Sequence, residues 1–118
     1  MGPFRSALAD DGTVTITVVG EVDFSNCDEL SRSVRDAVAE RRPPVLVVDV
    51  RGATFIDSTG LGALIEGYRA AGEAGTRFVL TNPSASFRRV LTVTGLCELF
   101  RLADTEVAAA PVSEATGA

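Results

Sequence analysis

The sequence predicts an α/β fold, a mixed β-sheet of four to five strands with three to four helices packed against it. Three observations carry this expectation. Segments alternating with a period of two are interleaved with segments whose apolar residues recur every three or four positions, a pattern that calls for a sheet covered by helices. Residues 45–50, Val-Leu-Val-Val-Asp-Val, form a near-continuous apolar run, as in a strand buried on both faces. Asp10-Asp11-Gly12 is a hairpin turn signal, which makes the first strand pair antiparallel and the sheet mixed. At 118 residues, 46% hydrophobic and 23% charged, the chain has the size and composition of one globular domain. Residues 1–103 are assigned to that domain and residues 104–118 to a short C-terminal tail.

The elements follow in order. Residues 4–9 are the shorter first strand, and residues 13–20, rich in β-branched side chains, the second. Residues 21–24 leave that strand, and Ser25 or Asn26 is expected to cap a helix, with Asp28 or Glu29 completing a capping box. Cys27, Leu30, Val34, Ala37 and Val38 form its apolar stripe. Pro43 and Pro44 stop it, since proline cannot continue a helix. After the strand at 45–50, residues 55–65 run from apolar strand through an acidic-hydroxyl turn directly into a second helix. Its expected stripe is Leu61, Leu64, Ile65 and Tyr68, with Tyr68 at the core edge.

Gly60, Gly62 and Gly67 weaken this helix by up to roughly 1 kcal/mol each relative to alanine, a cost that implies close backbone approach to the sheet or to a partner. Residues 77–81 are a fourth strand. Asn82-Pro83-Ser84 opens a third helix with the stripe Phe87, Val90, Leu91 and Thr94, ended by Gly95. Arg88-Arg89 is read as its solvated face. Residues 99–102 are a candidate short last strand. In the tail only residues 105–110 have the composition of a brief helix, and the last residues are expected to be disordered.

Composition excludes several chemistries. The net charge of −5 disfavours nucleic-acid binding. Without histidine there is neither a Ser-His-Asp triad nor a His-ligated metal site. Every basic residue is arginine, so the P-loop lysine and lysine Schiff bases are excluded as well. A receiver domain of phospho-aspartate type lacks its lysine here, and a serine hydrolase lacks its base and its GxSxG elbow. No cofactor or metal is expected. Cys27 and Cys97 form no CxxC, and each falls at an apolar position, so both read as buried, reduced thiols. No run is apolar enough to span a bilayer and no signal-peptide pattern precedes the domain. The expectation is a cytoplasmic protein without a membrane partner, monomeric or weakly dimeric.

The junction Asp57-Ser58-Thr59-Gly60-Leu61-Gly62 carries the functional signal. Its hydroxyls sit at a helix start, where unpaired backbone N–H groups can receive a nucleophile, an anion or a phosphorylated side chain. If the second and third strands run parallel, Asp23 and Asp57 project from one sheet edge, flank Ser58 with negative charge and offer carboxylates to a partner's basic groups. Asn82 and Ser84 are candidates for the same rim. Against these stand plainer roles: Ser58 or Asp57 as helix caps, Thr59 as a second cap or packing residue, Asp23 as a solvated turn residue.

The same six residues resemble the signature of the STAS domain, in particular of bacterial anti-sigma factor antagonists. Gly20-Glu21-Val22-Asp23, the strand at 45–50, and Phe87-Arg88-Arg89-Val90-Leu91 with Thr94-Gly95-Leu96 extend the resemblance over residues 4 to 102. It implies a non-enzymatic STAS-like domain with Ser58 as the phosphorylated residue. It further implies that the unphosphorylated protein binds an anti-sigma factor with serine kinase activity and releases a sigma factor. Phosphorylation would then dissolve the complex and a serine phosphatase restore it. The expected partner-binding residues are Asp23, Asp57, Ser58, Thr59, Gly60, Gly62 and Asn82. The alternative is a STAS scaffold, or a subunit of a stress-signalling or lipid-transport complex.

Overall fold

A computed structural model of the chain describes residues 4–96 and residue 100. Seven elements run in the order β1 (Phe4–Leu8), β2 (Val14–Val22), α1 (Cys27–Arg41), β3 (Val45–Ile56), α2 (Ser58–Glu73), β4 (Arg77–Thr81) and α3 (Ala85–Thr94). The sheet order is β1-β2-β3-β4. β1 pairs antiparallel with β2, while β2–β3 and β3–β4 are parallel. The mixed α/β architecture expected from the sequence is therefore present, with four strands and three helices among the described residues.

One face of the sheet carries the core. Val14 pairs with Leu46 and Ile16 with Val48, and Leu46 and Val48 pair in turn with Phe78 and Leu80. All are buried against Leu30, Val34 and Val38 of α1, Ala63, Leu64 and Ala71 of α2, and Phe87 and Leu91 of α3. β3 is thus not buried on both faces. Leu46, Val48 and Val50 point inward, whereas Val45, Val47 and Asp49 stay partly exposed on the face that none of the described helices covers. The hydrophobicity of residues 45–50 belongs to a central strand of a two-layer fold, not to a sheet sandwiched between helix layers.

Both central strands outrun their expected ends. Gly20 does not end β2. At φ 85° it occupies the left-handed region that glycine enters freely. There the register shifts between Gly20 and Glu21, and pairing continues through Glu21–Phe55 and Val22–Ile56. That is the behaviour of a β-bulge, and it carries both strands on to the start of α2.

The helix starts divide into two kinds. Ser84 caps α3 as expected, its Oγ accepting from Phe87 N at 3.1 Å, and Gly95 closes it at φ 78°. The capping box expected at Ser25 or Asn26 does not form. Asn26 occupies the cap position of α1, but its side chain turns back on the preceding loop, Oδ1 accepting from Asp23 N (2.9 Å) and Nδ2 donating to Glu21 O (2.8 Å). α1 ends at Arg42 in the left-handed region (φ 44°), just before the two prolines.

The buried face of α2 is rotated from the expected one. Gly60, Ala63, Leu64, Gly67 and Ala71 face inward, and Leu61, Ile65 and Tyr68 lie partly buried along its edges. A Cβ on Gly67 would lie 3.1 Å from Val34 Cγ1 of α1, so the small residues set how closely the helices approach. The inward face of α3 is narrower than expected: Phe87 and Leu91 are buried, but Val90 and Thr94 are exposed. Cys27 is partly rather than fully buried, and Cys97 lies outside the described residues. Of the candidate strand at 99–102, Phe100 alone is described; its backbone is helical and its ring packs on Phe78 at 5.7 Å and Tyr68 at 6.4 Å. The remainder of that segment, the tail and its candidate helix at 105–110 also fall outside the described residues.

Candidate functional site at the start of α2

The parallel pairing of β2 and β3 builds the site. Val22 lies opposite Ile56, so the next residues, Asp23 and Asp57, emerge at the same sheet edge. Asp57 N donates to Val22 O at 3.2 Å and ties the two exits together. Each carboxylate then organises its own turn. Asp23 Oδ1 accepts from Ser25 N (2.9 Å) and Ser25 Oγ (2.6 Å), shaping the approach to α1. Asp57, in extended conformation, caps α2: its Oδ1 accepts from Thr59 Oγ1 at 2.5 Å and Gly60 N at 3.0 Å. Both donors stabilise the ionised form. The Thr59 hydroxyl, and after it the Gly60 N–H, hold the Asp57 carboxyl below the ordinary carboxylate range.

Asp57 thereby takes the capping role that either it or Ser58 could have filled. Ser58 is the first residue of the helix, exposed, and its hydroxyl bonds to none of the described residues. Thr59 is exposed too, but its hydroxyl is committed to Asp57. The two neighbouring hydroxyls are therefore chemically distinct, one free and one engaged.

The two signature glycines also part ways. Gly60 is buried, and a Cβ there would sit 2.7 Å from Val22 Cγ1, 2.9 Å from Ile56 Cγ2 and 3.0 Å from Val22 O. Its close approach is to the sheet, which corrects the expectation that it faces a partner. Gly62 is exposed, and a Cβ there would meet nothing within 4 Å. It lines a cleft of about 240 Å³ between α1 and α2 with Cys27, Asp28, Ser31, Thr59 and Glu66.

Asn82 is not part of this rim. It follows Thr81, which pairs with Asp49, seven residues before Ile56 on β3. It is therefore set back along the sheet from the exits of β2 and β3. Its side chain is anchored there, Nδ2 donating to Asp49 Oδ1 at 3.0 Å. Ser84 caps α3 and, with Ser86, Phe87 and Val90, faces residues 54–56 across a groove of about 220 Å³.

Two features had no role in the sequence reading. Phe24, beside Asp23, is 83% exposed, and Phe55, two residues before Asp57, is 55% exposed. A phenylalanine set between Asp23 and Ser25 in a polar turn was the signal for the first. The other is a polar cross-link between the helices. Ser31, only 3% exposed, donates to Glu66 Oε1 at 2.8 Å and accepts from Arg35 Nη1 at 2.5 Å, while Arg35 and Glu66 approach to 3.7 Å. It fixes α1 against α2 along the cleft. Among the described residues no group of three or more potential ligands could hold a metal ion, and no helix is long and apolar enough to cross a membrane.

This arrangement has close counterparts. A STAS-domain containing protein of Pseudomonas aeruginosa is 34% identical over 95 residues, covering 80% of this chain and 91% of that one. The crystal structure of an anti-sigma factor antagonist from Mycobacterium paratuberculosis superposes with a TM-score of 0.69 at 30% identity, covering 84% of each chain. The anti-sigma factor antagonist SpoIIAA, at 24% identity, has the same fold in its unphosphorylated form (TM-score 0.72, covering 85% of this chain and 87% of that one) and in its phosphorylated form (TM-score 0.67, covering 85% and 90%). The sequence profile of the STAS domain matches residues 5–109. With the four-stranded mixed sheet, the strand-to-helix junction at Asp57 and that match across nearly the whole length, the chain belongs to the STAS domain family.

Proposed function

We propose that this chain is a cytoplasmic, non-catalytic anti-sigma factor antagonist whose partner-binding face is centred on Ser58. In this reading the unphosphorylated protein binds an anti-sigma factor with serine kinase activity and so releases a sigma factor. Phosphorylation of Ser58 dissolves the complex, and a serine phosphatase resets it. The observation that carries the reading is the exposed, unbonded Ser58 hydroxyl beside a helix cap supplied by Asp57. Phosphate can be added there without breaking any bond among the described residues.

The switch then acts through the interface rather than through refolding. Phosphate adds about −1.5 to −2 charges. The helix N-terminus favours that charge while Asp57 and Asp23 oppose it. Reversing a 99:1 equilibrium requires about 5.5 kcal/mol, and an uncompensated charge enclosed in an interface costs several kcal/mol. Ser58 therefore belongs inside the contact, with Asp57 and Asp23 as an acidic rim, Gly62 leaving room for close approach, and Phe24 and Phe55 as exposed apolar anchors of the kind that dominate interfaces.

Incubation with a kinase-type anti-sigma factor and ATP, followed by peptide mass spectrometry, is expected to find phosphate on Ser58. Phosphate on another residue with Ser58 unmodified would sink the assignment. By calorimetry, Ser58→Ala retains binding to that factor and Ser58→Glu weakens it at least about tenfold, the equivalent of roughly 1.4 kcal/mol. Equal affinities would remove the switch. Pull-down of a transporter or scaffold component in place of an anti-sigma factor would move the chain to the alternative STAS role.

A further inference from the structure

Two hydroxyls stand side by side at the start of α2, and only one is free. Thr59 Oγ1 donates to Asp57 Oδ1, which also receives the Gly60 N–H. We propose that Asp57 discriminates between the two hydroxyls as carriers of a phosphate, because a phosphate on Thr59 is incompatible with the capped start of the helix. The inference deepens the function proposed above and rests on its reading of Ser58 as the acceptor.

In phosphoryl transfer the hydroxyl oxygen bonds to the γ-phosphorus of ATP, the bond to ADP breaks with its electron pair leaving on ADP, and the hydroxyl proton passes to a base. For Thr59 that proton is the one donated to Asp57. Once phosphorylated, Thr59 Oγ1 can no longer donate, and a dianion is attached to an oxygen that lay 2.5 Å from a carboxylate oxygen. Like charges at such range force the carboxylate away, and its departure leaves the Gly60 N–H without its cap. Asp57 opposes a phosphate on Ser58 as well, but from outside any hydrogen bond of the cap. The Ser58 hydroxyl has no bond to lose among the described residues, and the Asp57–Gly60 bond stays intact beneath it.

The test installs phosphoserine at 58 or phosphothreonine at 59 during translation, in the natural chain and in D57N. Asparagine keeps a cap acceptor but carries no charge. In the natural chain the form phosphorylated at 59 is expected to melt roughly 4–8 °C below the form phosphorylated at 58, and amide exchange at Gly60 to quicken in the former alone. In D57N the melting gap shrinks to about half or less, because the repulsive share of the penalty is gone. Equal melting of the two phosphoforms, or a gap that D57N leaves unchanged, overturns the proposal. No kinase enters this measurement. A kinase-type anti-sigma factor that ignored Ser58 would therefore defeat the proposed function and leave this result to stand or fall by itself.

Discussion

Gly60 and Gly62 are separated by one residue of the same helix, yet they face different surroundings. Gly60 turns toward β2 and β3, where a single added methyl would collide with Val22 and Ile56. Gly62 looks outward beside Thr59 into the α1–α2 cleft, where the same methyl would touch nothing. The inner face of α2 is limited by volume and the outer face is not. Absence of a side chain is therefore a packing requirement at one position. At the other it costs the helix stability with no packing return among the described residues.

Substitutions at these positions can break that contrast. Gly60→Ala has the largest expected effect. Val22 and Ile56 are β-branched and stiff, so overpacking of about 1–3 kcal/mol outweighs a gain in helix propensity of up to roughly 1 kcal/mol. A net loss on the order of 1 kcal/mol or more should appear as a lower urea midpoint, and an unchanged midpoint would mean that the sheet is not the limit. Gly62→Ala should move the other way, gaining up to about 1 kcal/mol. If it lowers stability, the outer face is packed after all. If it raises stability and leaves partner affinity intact, the cleft is not contacted.

The smallest effect concerns pH and the boundary between the two faces. The Asp57 carboxyl is held below its ordinary value of 3.8. Its folded pKa is depressed, so its stabilisation is present above about 3.8 and is lost as pH falls through the lower folded value. Asp11, held down by the Thr13 N–H and then the Thr13 hydroxyl, contributes with the same sign. The informative quantity is thus the difference between the natural chain and Asp57→Asn, which should be nearly flat near neutrality and narrow below pH 3.8. A difference that stays constant into that range would show that the charge of Asp57 plays no part in the cap.

What could be read from the sequence was mostly local. Ser84 and Gly95 bracket α3 as expected because cap chemistry reaches only a few residues. Residues 77–81 pair as a strand from end to end, as expected. The same reasoning failed at Asn26, whose carboxamide had competing partners at Glu21 and Asp23. It failed again at Gly20, where a parallel neighbour offered enough pairing to carry β2 past its bulge. The side-chain stripe of α2 was misplaced by about one position because glycine and alanine carry little hydrophobic signal, although their smallness lets the helix approach Val22 and Val34.

By itself, the sequence determined the alternation of elements, the absence of histidine and lysine chemistry, and a hydroxyl-bearing helix start at residues 57–59. Composition and short-range periodicity suffice for these. Only the tertiary structure decided which hydroxyl is free, which glycine faces outward, that Asp23 and Asp57 share an edge while Asn82 is tied to Asp49, and that Ser31 joins Glu66 across 35 positions. Each depends on strand register and helix rotation. Those are set by how volumes fit across the sheet, a sum over distant residues that no local pattern contains.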